Sequence, residues 1–247
     1  MPFLNSLTLR ELESIDFSST TAILFIANND PIGVDTPLNL FESINGAIAQ
    51  RLAQSDNYLV LPPINLGYST PFKSFKGVIS LKSSTLEKII ADTLISVTSF
   101  GVNRVLVIDS SNYAKGVVDK AVKAYKRGLP SDFNYGYISW QSDSSLKRAI
   151  YSNVTIKDFW RSELVALLLY SELTGFKVSE RVDENLNISE KQFNRWKKTM
   201  DPERLKSYFP RANLSSWEAL PQTDGLFEIL IESIDETIKK GYIFHGI

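Results

Sequence analysis

The chain has 247 residues, 43% of them hydrophobic and 22% charged, with a formal net charge of −1; this is the make-up of an ordinary globular protein with a sizeable core, and no global field draws it to nucleic acid or to an anionic membrane. Cysteine is absent and His245 is the only histidine, which excludes disulfides, thiolate metal sites, a cysteine nucleophile and any single-chain zinc site built on two or more histidines. A metal would have to rest on carboxylate, carbonyl and water oxygens, and a Ser-His-Asp triad would require His245 to fold back into the site.

The first residues, "MPFLNSLTLRELES", lack the basic start and apolar core of a signal peptide. No apolar run approaches the roughly 20 residues needed to span a bilayer. The expectation is a cytoplasmic protein without membrane or nucleic-acid partners.

Thr8 and Glu11 have the spacing of a capping box and predict a short first helix. Residues 21–27, "TAILFIA", are a continuous apolar run expected of a strand covered on both faces. An acidic loop with Asp30 and Asp35 follows, then a helical stripe at Phe41, Ile44, Ile48 and Leu52. "NYLVLPPI" predicts a second strand stopped by Pro62 and Pro63. After a long loop, Ser84 and Glu87 read as the cap of a helix with Leu86, Ile89, Ile90, Leu94 and Val97 on its inner face, closed by Gly101.

"RVLVID", 104–109, predicts a third strand, and the helix after it ends at Gly128. Lys115, Lys120, Lys123, Lys126 and Arg127 alternate there with Val117, Val118 and Val122, which marks a solvated face of an amphipathic helix. "NYGYISW", 134–140, predicts a fourth strand with Tyr135, Tyr137 and Ser139 on one side. The remainder reads as helical: a long buried helix over 156–175, one capped by Ser189 and Gln192, a short one at 201–209, and a last one whose inner face carries Phe227, Leu230, Ile231, Ile234 and Ile238. Strands alternating with helices predict an α/β layered fold with a mostly parallel sheet flanked by helices, and the absence of a linker or repeat predicts one domain over 1–247.

Ligands of a parallel sheet bind beyond the carboxyl ends of its strands. The loops Asn28–Leu40, Pro62–Gly77, Asp109–Lys115 and Trp140–Ser145 compete for that place, with the helix around Trp160 to Glu163 in reach. None contains GxGxxG or a Walker A pattern, so a phosphate cradle has no support.

In this order the loops resemble the creatininase family of metal-dependent amidohydrolases, which open cyclic amides or cleave formamides. "PPINLGYSTPFKSFKGVISL", 62–81, keeps the family's frame at Gly67, Ser69, Phe75, Gly77, Ile79, Ser80 and Leu81. "FGVNRVLVIDSSN" and the closing "LPQTDGLFEILIESIDETIKKG" fit as well, so the resemblance spans residues 22–240.

The family's first signature is Glu-Gln-His-Gly-Pro-His-Leu-Pro-Leu-Gly-Thr-Asp, in which the Glu, the first His and the Asp bind metals. Anchored on Gly33, these positions fall on Asp30, Ile32 and Phe41, with Glu42 adjacent. The Asn-Gly-His-Gly-Gly-Asn loop falls on Asp109 to Ala114, with Ser111 at the histidine and Asn112 and Tyr113 at the paired glycines. The family's Glu-His pair becomes Pro71 and Phe72, and the late His-Ala-Gly-x-x-Glu motif falls near Lys157 to Ser162, with Glu163 one residue on.

Isoleucine and phenylalanine cannot coordinate a cation, and a hydroxide-generating site needs ligands that fix its ions and lower the pKa of bound water. The resemblance therefore implies one of three things. The first is a metal-free pseudoenzyme without a cofactor, acting as a homo-oligomer or as the hetero-oligomeric partner of an active paralogue. The second is an amidohydrolase with a rebuilt site, in which Asp30, Asp109 and Glu163, with Glu42 or Asp35, hold Mn, Mg or Zn and Ser111 or Lys115 assists. The third is a binding module in which Phe41, Phe72, Tyr113, Trp140 and Trp160 line the emptied pocket. Each residue also has a plain structural reading: Asp30 and Asp35 as turn acids, Glu42 as first-turn helix charge, Glu163 as a solvated or ion-paired side chain, and the aromatics as core filling.

Overall fold

A computed structural model of the protein describes residues 3–31, 36–55, 57–69, 72–73, 75–111, 113–151, 161–175, 225–240 and 245–246. The sheet is built from β1 (Thr21–Ile26), β2 (Tyr58–Val60), β3 (Arg104–Asp109), β4 (Asn134–Ser139) and β5 (His245–Gly246). Its strand order is β2-β1-β3-β4-β5. The first four strands are parallel, and β5 runs antiparallel to β4. Every residue of β1 is buried, as a strand covered on both faces requires. Pro62 and Pro63 end β2 as their missing N–H groups dictate, yet pairing with β1 resumes at Ile64, which donates its N–H to the Phe25 carbonyl.

Side-chain alternation along the strands divides the core in two. Ile23, Phe25, Leu106 and Ile108 face α2 (Leu40–Leu52), α6 (Arg161–Thr174) and α7 (Leu226–Lys240), with Leu146 of α5 (Ser144–Tyr151) packed among them. Ala22, Leu24, Ile26, Val105 and Val107 face α3 (Ser83–Ser99) and α4 (Lys115–Tyr125).

The Thr8–Glu11 capping box forms and opens α1 (Leu9–Glu13). The cap expected at Ser84 and Glu87 does not: α3 begins at Ser83 after Lys82, with no side-chain cap. The end of α3 follows expectation. Gly101 at φ 102° donates to Thr98 and Val102 donates to Val97, the double bond of a Schellman motif in a conformation that suits glycine. Ile89, expected on the inner face of α3, is 37% exposed, because it leans away from the stripe formed by Leu86, Ile90, Leu94 and Val97. The lysines of α4 lie on its exposed side. The last helix buries Leu230, Ile231 and Ile234 as expected and adds Leu226.

Helix α5 was not expected. Asp143 starts it by accepting from the N–H groups of Ser145 and Leu146, and Asp143 also accepts from the Ser233 hydroxyl of α7 at 2.6 Å. The long helix expected over 156–175 is seen as α6, while residues 152–160 and the helices expected after Ser189 and at 201–209 lie outside the described residues. Glu172 of α6 reaches the start of α7 and accepts from Gly225 N–H at 2.8 Å and Phe227 N–H at 3.0 Å. Among the described residues no helix is long and apolar enough to cross a membrane.

One buried side chain ties sheet to helices at the carboxyl edge. Asn45 of α2, 3% exposed, donates to the Ile26 carbonyl at 3.0 Å and accepts from Trp140 Nε1 at 2.9 Å. Replacing it by leucine strands a carbonyl and an indole N–H in the core. Asn45→Leu is expected to lower unfolding free energy by about 2–4 kcal/mol, read as a lower urea midpoint with an unchanged m-value.

Candidate functional site: a buried polar network at the carboxyl edge

Register places Ile26, Asp109 and Ser139 side by side on β1, β3 and β4, so the chain leaving each strand meets at one edge. Asp109 ends β3 with no exposed surface. One carboxylate oxygen accepts from Ser111 N–H at 3.0 Å and the other from Ala114 N–H at 3.2 Å and Tyr137 OH at 2.5 Å, with the Ser111 hydroxyl 3.3 Å from both. Burial pushes the Asp109 carboxyl up to about 6, although hydrogen bonds from Tyr137, Ser111 and Ala114 pull the other way. Burial, and then the neighbouring Asp109, raise the Tyr137 phenol far above the ordinary tyrosine range.

Asp30 is the second buried acid, 2% exposed. It accepts a short hydrogen bond from the Ser69 hydroxyl and a long one, 3.4 Å, from Asn28 Nδ2. The same Asn28 amide donates to Ser111 Oγ at 3.0 Å, so Asp30 and Asp109 are joined through Asn28 and Ser111. Gly67 is required here, because a Cβ at that position would collide with Asn28 Oδ1. Asn28 Oδ1 and Ser139 Oγ are buried without a hydrogen-bond partner among the described residues, exceptions to the rule that buried polar atoms are satisfied.

The other expected residues go elsewhere. Phe41 is 1% exposed and lies in the opposite core layer, its ring 6.0 Å from Trp140. Phe72 is 3% exposed and edge-on to Phe75, and Trp140 is fully buried; these aromatics fill volume. Tyr113 is half-buried. Glu42 is exposed and accepts from Asn65 Nδ2 at 2.8 Å, apart from the buried acids. Lys115 pairs with Asp119 at 3.3 Å and sits 5.8 Å from the centre of the Tyr137 ring. Ser162 and Glu163 fall in the first turn of α6, with their side chains outside the described residues, as are Ile32, Asp35, Pro71, Asn112, Lys157 and Trp160.

Asn28 and Tyr137 carry the network and were not among the candidates. The alternation of Tyr135, Tyr137 and Ser139 on one side of β4 was the available signal for Tyr137. Asn28 had none beyond its place at the end of a buried strand.

The family model for creatininase, creatinine amidohydrolase, matches residues 5–159: the chain belongs to the creatininase family. A mutant creatininase complexed with creatine superimposes with a TM-score of 0.72 at 17% identity, covering 97% of this chain and 98% of that one. A structure described as creatininase Mn gives 0.69 at 15% identity, with the same coverage. A mutant described as Zn-Zn type gives 0.71 at 15%, again covering 97% and 98%. No curated sequence matches the chain.

The described residues do not fit the metal pair that the family implies. Among the described residues no group of three His, Cys, Asp or Glu side chains is placed to hold a metal. Asp30 and Asp109 are already engaged by hydroxyl, amide and phenol donors, and Phe41 lies in the opposite core layer.

Because burial raises Asp109 above its ordinary 3.8, the folded state holds a proton that the unfolded state has lost between those two values. Its contribution therefore favours the fold at low pH and falls as pH rises from about 4 to about 6, then levels off. Tyr137→Phe removes a donor to the carboxylate, so the fall extends to higher pH. The loss relative to wild type is expected to be about 1–3 kcal/mol at pH 8 and smaller at pH 4, measured by urea denaturation at both.

Proposed function

We propose that this protein is a metal-free creatininase-fold pseudoenzyme, retained as an oligomeric structural, regulatory or binding subunit in the cytoplasm. The observation that carries this reading is the engagement of the two buried acids, Asp30 and Asp109, by protein donors. Their carboxylates accept from Ser69, Asn28, Ser111, Ala114 and Tyr137, while Phe41, which the sequence count sets at the family's metal-binding aspartate, packs against Trp140 in the opposite core layer. Ser111, at the family's histidine, supports it: its hydroxyl is turned to Asp109 and accepts from Asn28. The acids that remain are held by protein donors, which makes them internal struts of the strand ends. A homo-oligomer, or a hetero-oligomer with an active paralogue, is the setting in which such a scaffold keeps a use.

One feature favours a second reading, an amidohydrolase with a rebuilt carboxylate site. Buried acids with a raised pKa cluster at functional sites, and Asp109 is one. The two readings part on metal content and turnover.

Protein purified without chelator and without a histidine tag is expected to hold far less than one equivalent of manganese, magnesium or zinc by elemental analysis. Its melting temperature is expected to be unmoved by chelator or added metal, and cyclic amides and formamides to remain uncleaved. Stoichiometric metal with hydrolysis would overturn the proposal. Light scattering on a size-exclusion column tests the assembly, and a monomer alone and with a co-expressed paralogue would remove that part of it. Phe41→Asp is expected to cost more than about 3 kcal/mol through an unpaired buried charge, and not to recruit a metal.

A further inference from the structure

A second concave feature lies on the other flank of the molecule, between α2 and the β2 edge. It is a cleft of about 230 Å³, at the small end of ligand pockets. One wall is the stripe of α2 bearing Glu42, Asn45, Gly46 and Ala49, spaced three and four residues apart. The facing wall is largely apolar, with Phe25, Val60 and Pro63, and Phe3 adds to it from the bridge that pairs it with Val60.

Two observations set this cleft apart from an accident of packing. Gly46 sits inside a helix of 13 residues, where glycine is the costliest ordinary residue, and a Cβ there would meet nothing within 4 Å. Alanine would therefore fit and would favour the helix, so packing does not account for the glycine in the cleft wall. The polar groups, moreover, gather at its mouth. Glu42 accepts from Asn65 through Oε1, which leaves its Oε2 and the Asn65 carbonyl oxygen as acceptors beside the apolar walls.

An anionic acceptor pair over an apolar slot selects a compact donor. We propose that the α2–β2 cleft binds a small primary ammonium compound, its charged head at Glu42 and Asn65 and its short apolar body against Phe25, Val60 and Pro63. The site is separate from the Asp30–Asp109 network and goes beyond the pseudoenzyme reading, so metal analysis does not bear on it.

The test uses the full chain with n-pentylamine and its neutral counterpart 1-pentanol, followed by saturation-transfer NMR at neutral pH. The amine is expected to bind in the millimolar range and the alcohol about tenfold more weakly, the weight of one hydrogen bond to a charged group. Glu42→Gln should reduce amine binding to the level of the alcohol. Gly46→Leu, which fills the cleft, should abolish binding of both while raising the melting temperature. Should Gly46→Leu fail to fold, Gly46→Ala is expected to weaken both probes and still to raise the melting temperature. Wild-type protein that saturates neither probe overturns the proposal. Equal binding of amine and alcohol, or binding unaltered in either Gly46 variant, overturns it as well.

Discussion

The buried carboxylate of Asp109 is the constraint on which the carboxyl edge of the sheet depends. An unpaired acid with no exposed surface would be prohibitively costly, so the fold surrounds it with donors drawn from three elements: the loop after β3 through Ser111, the start of α4 through Ala114, and β4 through Tyr137. The strand end, the following loop and the neighbouring strand thus have one arrangement that satisfies the charge. Ser111 passes the constraint on to Asn28, and Asn28 passes it to Asp30 and to the long loop through Ser69. Gly67 lets that loop come close enough to take part.

This network gathers at the carboxyl edge of the sheet, where ligands of parallel sheets bind, and its acids are held by the protein itself. A metal centre holds carboxylates by cations and leaves coordination positions open to water. Here protein N–H and O–H groups engage Asp30 and Asp109, and Phe41 and Trp140 pack on the opposite face of the sheet. Phe41 does not stand in for an aspartate; it belongs to another layer, on the far side of the sheet from the Asp109 side chain. The shape of the fold rests on two core layers that strand alternation sets, whatever the loops at this edge carry.

Much of the fold was legible because it is written in local periodicity. The all-apolar run at 21–27, the strand at 104–109 and the inner stripe of the last helix each state their own burial. The capping box at Thr8 works because both partners lie within one turn; Ser84 and Glu87 have the same spacing, but the chain enters α3 two residues earlier and the pair falls out of position. Helix α5 was missed because its sequence is short and polar and its cap, Asp143, looks like any loop acid. The two residues of β5 are too few for any pattern. In the site, Asp30 and Asp109 were visible as acids delivered by strand ends. Their partners were not, because Asn28 to Ser111, Ser69 to Asp30 and Tyr137 to Asp109 are contacts between distant parts of the chain that alternation alone cannot pair.

Glu172 has a consequence for how this chain tolerates change. By capping α7 from α6 across more than fifty positions of sequence, it fixes where the closing helix starts from a neighbour already packed on the sheet, and the register of that helix does not depend on counting residues through the connection. A change at Glu172 is therefore felt at the start of the closing helix, remote in sequence and adjacent in space.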